Sequence, residues 1–163
     1  MTMRLLIVRH AIAVPRGTPG IPDERRALTA EGRTRFRKAA RGLARAVRRP
    51  DALLTSPWRR ARETAEILAR AWGRIEPTET KALAGGTFEE QAAVLDRFAR
   101  DATVVVVGHE PYVSELLARL LGARRADALA FRKGGVAVVE LPGKLADGGV
   151  LTAFLPPRLL RKL

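Results

Sequence analysis

Two short runs, Met3–Val8 (MRLLIV) and Thr103–Val107 (TVVVV), limit the possible folds more than any other part of the chain. Each is apolar at nearly every position and too short for a helix, the pattern of a strand buried on both faces of a sheet. Such strands need helices on both sides. Between and after them, helical patterns alternate with further short apolar runs, which is the signature of an α/β fold. The 163 residues are therefore expected to form one domain, residues 1–163, built as a three-layer α/β/α sandwich around a mainly parallel central sheet.

The other elements follow from local chemistry. Residues 11–28 hold Pro15, Gly17, Pro19, Gly20 and Pro22 and read as an irregular loop able to cover the end of the first strand. Thr29 caps a helix to about Arg48, with Phe36, Ala40, Leu43, Ala44 and Val47 on one face, and Pro50 stops it. Residues 51–55 form a second strand, after which Ser56 and Pro57 supply a capping hydroxyl and a first-turn proline for a helix to about Trp72. Residues 75–79 suggest a polar third strand. Thr87 and Glu90 fit a capping box for a helix ending near Arg100, and Pro111 opens a helix carrying Val113, Leu116, Leu117, Leu120 and Leu121. Residues 135–141 and 150–155 predict an antiparallel C-terminal hairpin at one edge of the sheet, with the tail 156–163 peripheral.

The chain has no cysteine, which excludes disulfides, thiolate metal sites and cysteine nucleophiles. No stretch approaches the roughly 20 apolar residues of a membrane span, and the N-terminal apolar run reaches Arg9 and His10 too soon for a signal-peptide core. A cytoplasmic protein without membrane partners is expected. The 30 Lys and Arg against 17 Asp and Glu give a formal charge of +13, which attracts polyanions of every kind. These cations are spread over several helices, and aromatics make up only 5% of residues, so the stacking platforms of a single-strand nucleic-acid binder are scarce.

The only two histidines, His10 and His109, each stand directly after one of the buried-strand runs or a single glycine or arginine beyond it. Ligands of open α/β sheets sit outside the carboxyl ends of the strands, so the two can converge if their strands are neighbours, with Arg9 beside them. The segment Ser56–Arg60 also follows a strand and starts a helix, and can offer backbone N–H groups and a guanidinium to the same anion. A zinc site would need further close ligands, and only Glu110 is adjacent. No G-x-S-x-G is present, and Ser56 and Ser114 read as a helix cap and an ordinary helix-surface residue. Gly85–Gly86 and Gly134–Gly135 are too short to cradle phosphates and read as turns. No metal or cofactor is expected.

Three ordered motifs now stand together: Leu6-Ile7-Val8-Arg9-His10-Ala11, Ser56-Pro57-Trp58-Arg59-Arg60-Ala61-Arg62-Glu63-Thr64-Ala65, and Val107-Gly108-His109-Glu110-Pro111. They resemble the histidine phosphatase (phosphoglycerate-mutase-like) superfamily. The compact length, the R-H-A variant of R-H-G and the S-P-W-x-R-A form are similar to its SixA-like branch of phosphohistidine phosphatases. The resemblance implies a metal-independent phosphatase in which His10 is phosphorylated and then hydrolysed. It also implies that Arg9 and Arg60 bind the phosphoryl oxygens and that His109 completes the pocket as a donor. Arg59 and Arg62 fall at positions expected to be exposed or supportive. Ser56 is expected either to join the phosphate pocket or only to start its helix.

These roles agree with elementary chemistry. A neutral imidazole is a competent nucleophile near pH 7, and its phosphoramidate is labile. Bidentate guanidinium forks match the charge on the equatorial phosphoryl oxygens. Members of the superfamily acting on alkyl phosphates carry a carboxylate acid between the second and third motifs, where this chain has Glu76, Glu79, Glu89 and Glu90, with Glu110 just beyond. Glu89, Glu90 and Glu110 read as helix-start carboxylates and Glu76 and Glu79 as polar strand positions, which leaves open whether any of the five is a general acid; a site without a strong acid suits P–N better than P–O cleavage. The expected substrate is a phosphorylated protein carrying phosphohistidine, or a small phosphorylated molecule. Two other readings stay open: a general small-molecule phosphomonoesterase on the same scaffold, and a catalytically inactive basic adaptor or nucleic-acid-binding protein.

Overall fold

The computed structural model describes all of residues 1–163. Both buried-strand runs form as expected, as β1 (Met3–Arg9) and β4 (Thr103–Gly108), and they lie side by side in parallel, with Ile7 opposite Val106 and Arg9 opposite Gly108. Between them in sequence come α1 (Ala30–Ala46), β2 (Ala52–Thr55), α2 (Arg59–Ala71), β3 (Pro77–Glu79) and α3 (Phe88–Leu95). After β4 come α4 (Tyr112–Leu121), β5 (Val136–Leu141), β6 (Val150–Leu155) and a short α5 (Pro157–Leu160). One six-stranded sheet runs in the order β3-β2-β4-β1-β5-β6. Pairings among β1 to β4 are parallel, whereas β5 is antiparallel to β1 and to β6. The hairpin thus occupies the expected edge.

Period-two alternation sorts the two central strands between two cores. Leu6, Val8, Val105 and Val107 pack with Phe36 and Leu43 of α1, Ala61 and Leu68 of α2, and Leu160 of α5. Leu5, Ile7, Val104 and Val106 point the other way, to Leu95 of α3 and Val113 and Leu117 of α4. Helices therefore cover both faces and produce the three layers.

Helix starts lie where side chains close on their own backbone. Thr29 accepts from the Gly32 N–H at the start of α1, and Thr87 with Glu90 forms the capping box of α3. Three expectations need correction. Helix α2 starts at Arg59, not at Pro57, because the Ser56 hydroxyl accepts the Trp58 N–H and holds residues 56–58 as a turn before the helix. Helix α3 ends at Leu95, short of Arg100. The tail is not peripheral, since Leu160 is buried in the core and α5 lies on α1 at Gly42, where an added Cβ would strike the Leu160 carbonyl.

Candidate active site

The crevice between β1 and β4 lies where the chain's crossovers diverge, α1 to one face of the sheet and α4 to the other. Neighbouring strand ends that send their connections to opposite faces leave a gap for a ligand at the carboxyl edge. His10 leaves β1 at this gap and His109 leaves β4, with ring centroids 5.3 Å apart. Backbone bonds tie the three strand ends together: the His10 N–H donates to the Gly108 carbonyl (3.0 Å) and the Ser56 N–H to the Val107 carbonyl (3.0 Å). Arg60, on the first turn of α2, reaches in from the third strand end.

The hydrogen bonds of His10 assign its tautomer. Its Nδ1 lies 2.7 Å from the Ala11 carbonyl, which can only accept, so Nδ1 carries the proton. Nε2 then holds the lone pair, and it accepts from Arg60 Nε at 3.2 Å. His10 is 5% exposed and Arg60 2%, so this contact is shielded from water. Burial first, and then the fields of His109, Arg60 and Arg9, press the His10 pKa down to about 2, against the opposing pull of the Ala11 carbonyl. The ring is neutral at physiological pH.

His109 is equally enclosed, and burial together with the nearby Arg60 takes its pKa down to about 3. Its Nε2 is 2.8 Å from the Ser56 hydroxyl, and the Trp58 ring packs against it at 5.1 Å. Trp58 also lies under the Arg60 guanidinium, 4.9 Å from ring centre to Cζ, a cation–π contact that fixes both. On the opposite side, Arg9 donates from Nη1 to the Phe131 carbonyl at 2.7 Å. Two buried side-chain polar atoms in the whole chain lack a protein partner: Arg9 Nε and His109 Nδ1. Buried polar atoms are nearly always satisfied, so their pairing in one crevice marks a place for a polar ligand.

Loop 11–28 contributes two residues that sequence reading passed over. Arg60 Nη1 donates to the Asp23 carbonyl (2.7 Å) and Nη2 faces the Asp23 carboxylate at 3.4 Å. Buried Arg26 fastens that carboxylate from Nε at 2.7 Å and the Val14 carbonyl from Nη1 at 2.7 Å. Burial by itself would raise the Asp23 pKa, but the hydrogen bond from Arg26 and the charges of Arg60, Arg26 and Arg16 hold it below the usual carboxylate range. For Arg60, burial and the neighbouring Arg26 lower its pKa to about 10, partly offset by Asp23, and the guanidinium stays charged. The only signal in the sequence was an opposite-charge pair three residues apart in a proline-rich loop.

Other expected residues fall outside the crevice. Arg59 pairs with Glu63 and Arg62 with Glu79, both on the surface. Glu90 is engaged in its capping box, and Glu76 and Glu89 are exposed. Glu110 accepts the Ser114 N–H (3.0 Å) and the Phe131 N–H (3.3 Å), so it braces the segment that holds Arg9. Ser114, expected on a helix surface, is buried and bonds the Pro111 carbonyl. Thr64, one turn after Arg60, also escaped notice. Its hydroxyl donates to the Arg60 carbonyl (2.7 Å) and accepts the Ala11 N–H (3.0 Å), locking helix to strand end. No group of three or more His, Cys, Asp or Glu side chains is arranged to hold a metal ion, and no helix is long and apolar enough to cross a membrane.

The chain is similar in sequence and fold to several known proteins. An uncharacterized protein of Picosynechococcus sp. is 36% identical over 137 residues, 82% of each chain. The structure of the protein histidine phosphatase SixA complexed with tungstate superposes with a TM-score of 0.81 at 25% identity, covering 97% of this chain and 99% of that one. A structure from Agrobacterium tumefaciens, assigned as a phosphohistidine phosphatase SixA, gives 0.79 at 27% identity, covering 94% and 97%. A mycobacterial glucosyl-3-phosphoglycerate phosphatase shares the fold, with a TM-score of 0.72 at 18% identity over 96% of this chain and all of that one. Residues 5–94 match the histidine phosphatase superfamily, branch 1. The chain belongs to that superfamily and is a SixA-like phosphatase.

Proposed function

We propose that the enzyme is a phosphohistidine phosphatase working through a covalent phospho-His10 intermediate. The observation that carries this reading is the conjunction at one crevice of the chain's two unpartnered buried polar atoms, Arg9 Nε and His109 Nδ1, with a neutral His10 whose Nε2 lone pair faces Arg60. A tetrahedral oxyanion there would accept from the two unpartnered nitrogens and present its central atom, not an oxygen, to the His10 Nε2 lone pair. Tungstate, bound by the related SixA, is an oxyanion of that shape.

In the first step His10 Nε2 attacks phosphorus while the P–N bond to the leaving imidazole breaks, and that nitrogen takes a proton from solvent. Water then attacks phospho-His10, the new P–N bond breaks, and inorganic phosphate leaves with His10 neutral again. Arg9 and Arg60 hold the equatorial oxygens, each guanidinium being a bidentate match. Ser56 donates its O–H to His109 Nε2, which leaves the His109 proton on Nδ1 for a third oxygen. Preorganised donors of this sort act most strongly where water is excluded.

Substrate choice rests on the missing acid. Asp23 is the one carboxylate touching Arg60, and its cationic neighbours keep it ionised, so it cannot protonate an alkoxide. An imidazole leaves without such help. The substrate is accordingly a protein carrying phosphohistidine. A panel of phosphohistidine, phosphoramidate, sugar-phosphate and aryl-phosphate compounds tests this: P–N substrates should turn over fastest and His10→Ala should abolish all turnover. Faster hydrolysis of the sugar phosphate would point to a phosphomonoesterase, and unchanged activity in His10→Ala would refute the nucleophile.

A further inference from the structure

Directly after His10 the chain borders an open cleft of about 440 Å³, which the turn before β5 and the segment after β6 also line. Ala11 and Ile12, which directly follow His10, form one wall. The turn before β5 forms another and is fastened to the same strand end, because the Gly134 N–H donates to the carbonyls of both Arg9 (3.1 Å) and His10 (3.0 Å). Five cations line this cleft: Arg35 from α1, Arg132 and Lys133 from the turn, and Arg158 and Arg161 at α5. It has no carboxylate. Of the five, only Arg35 has an acidic partner, Glu31, which is itself exposed.

A groove between α1 and α2 is also lined by three arginines without a carboxylate, so what distinguishes this cleft is its five cations and its place directly after His10. The cleft beside Trp58 and the one against β3 are each lined by three arginines and three glutamates. Uncompensated cations packed side by side repel one another, so an anion bound here gains more than one bound over a balanced surface. Arg35, Arg132, Lys133 and Arg158 are exposed and come from three separate segments. Cations spread over three segments suit several carboxylates spaced along a polypeptide.

We propose that this cleft docks an acidic segment of the phosphorylated protein substrate, with Asp and Glu residues flanking the phosphohistidine. The inference rests on the phosphohistidine reading above and adds a preference for sequence context. Long-range attraction of this kind speeds encounter and fades with salt.

Two triple variants remove the same charge from different places. Arg132→Gln/Lys133→Gln/Arg158→Gln removes three of the cleft's five cations, and Arg37→Gln/Arg41→Gln/Arg70→Gln removes the three of the carboxylate-free groove between α1 and α2 that reaches the last turn of α2, away from the strand ends. Each is assayed at low salt on a phosphohistidine peptide with acidic flanks and on the same peptide with Gln flanks. Binding of the unphosphorylated acidic peptide, labelled with a fluorophore, is followed by anisotropy. Wild type should show a KM about tenfold lower for the acidic peptide at equal kcat. The cleft variant should lose that preference and the anisotropy signal, and the groove variant should keep both. Equal losses in the two variants, or no preference in wild type, would overturn the proposal. So would tighter, cleft-dependent binding of a single-stranded oligonucleotide or of inorganic tripolyphosphate. Absence of any phosphohistidine turnover would defeat the functional reading alone, since the anisotropy still judges the cleft.

Discussion

Arg60 shows how much one side chain can be asked to do. Its three nitrogens meet His10 Nε2, the Asp23 carbonyl and the Asp23 carboxylate, so an incoming phosphoryl group must share the guanidinium, through the remaining Nη hydrogens, with the negative charge of Asp23. Replacing Asp23 by Asn keeps an acceptor for Arg26 and removes the competing charge. Inhibition constants for inorganic phosphate and vanadate should then fall by about three- to tenfold, in keeping with the modest worth of partly exposed ion pairs; unchanged or weaker inhibition would show that Asp23 does not compete. The placement of His10 and His109 was readable in advance because each follows a strand buried on both faces, and that of Arg60 because its motif opens the helix after the second strand. Asp23 and Arg26 were not. Their loop has no periodicity, and its fold depends on contacts with Arg60 and Val14 far off in sequence.

Among the elements, α5 is the one whose role the sequence concealed. Four residues cannot display a helical repeat, and Gly42, its contact on α1, reads as an unremarkable small residue until Leu160 is laid against it. Elements with a cap or a long apolar face were legible for the opposite reason, since Thr29, Thr87 and the α4 leucines carry their signal within a few positions. Leu160→Ala should cost about 2–5 kcal/mol in urea unfolding, as for other buried leucines. Gly42→Ala should cost about 1–3 kcal/mol by overpacking the α1–α5 contact. A loss under about 0.5 kcal/mol for both, the range of surface substitutions, would return the tail to the periphery.

For the whole molecule, two buried neutral histidines couple folding to pH. Both have folded-state values, about 2 and about 3, below their ordinary 6.5. The unfolded chain therefore binds more protons below pH 6.5, and stability falls with acidification from there down toward pH 3. The slope should approach about 1.4 kcal/mol per pH unit for each histidine, read from denaturant titrations between pH 7 and 4, and His109→Asn should roughly halve it. A flat profile between pH 7 and 5 would mean that the rings are not buried neutral. The same neutrality leaves His10 free to attack at any physiological pH, and the direct test is to catch the product of that attack. Wild-type enzyme is mixed with phosphoramidate, quenched in base within the first turnovers, and mapped by peptide mass spectrometry. A phosphoryl group on the peptide bearing His10, labile to acid and absent from His10→Ala, is the predicted result. Full turnover with no phosphorylated His10, or with the label on His109, would contradict it.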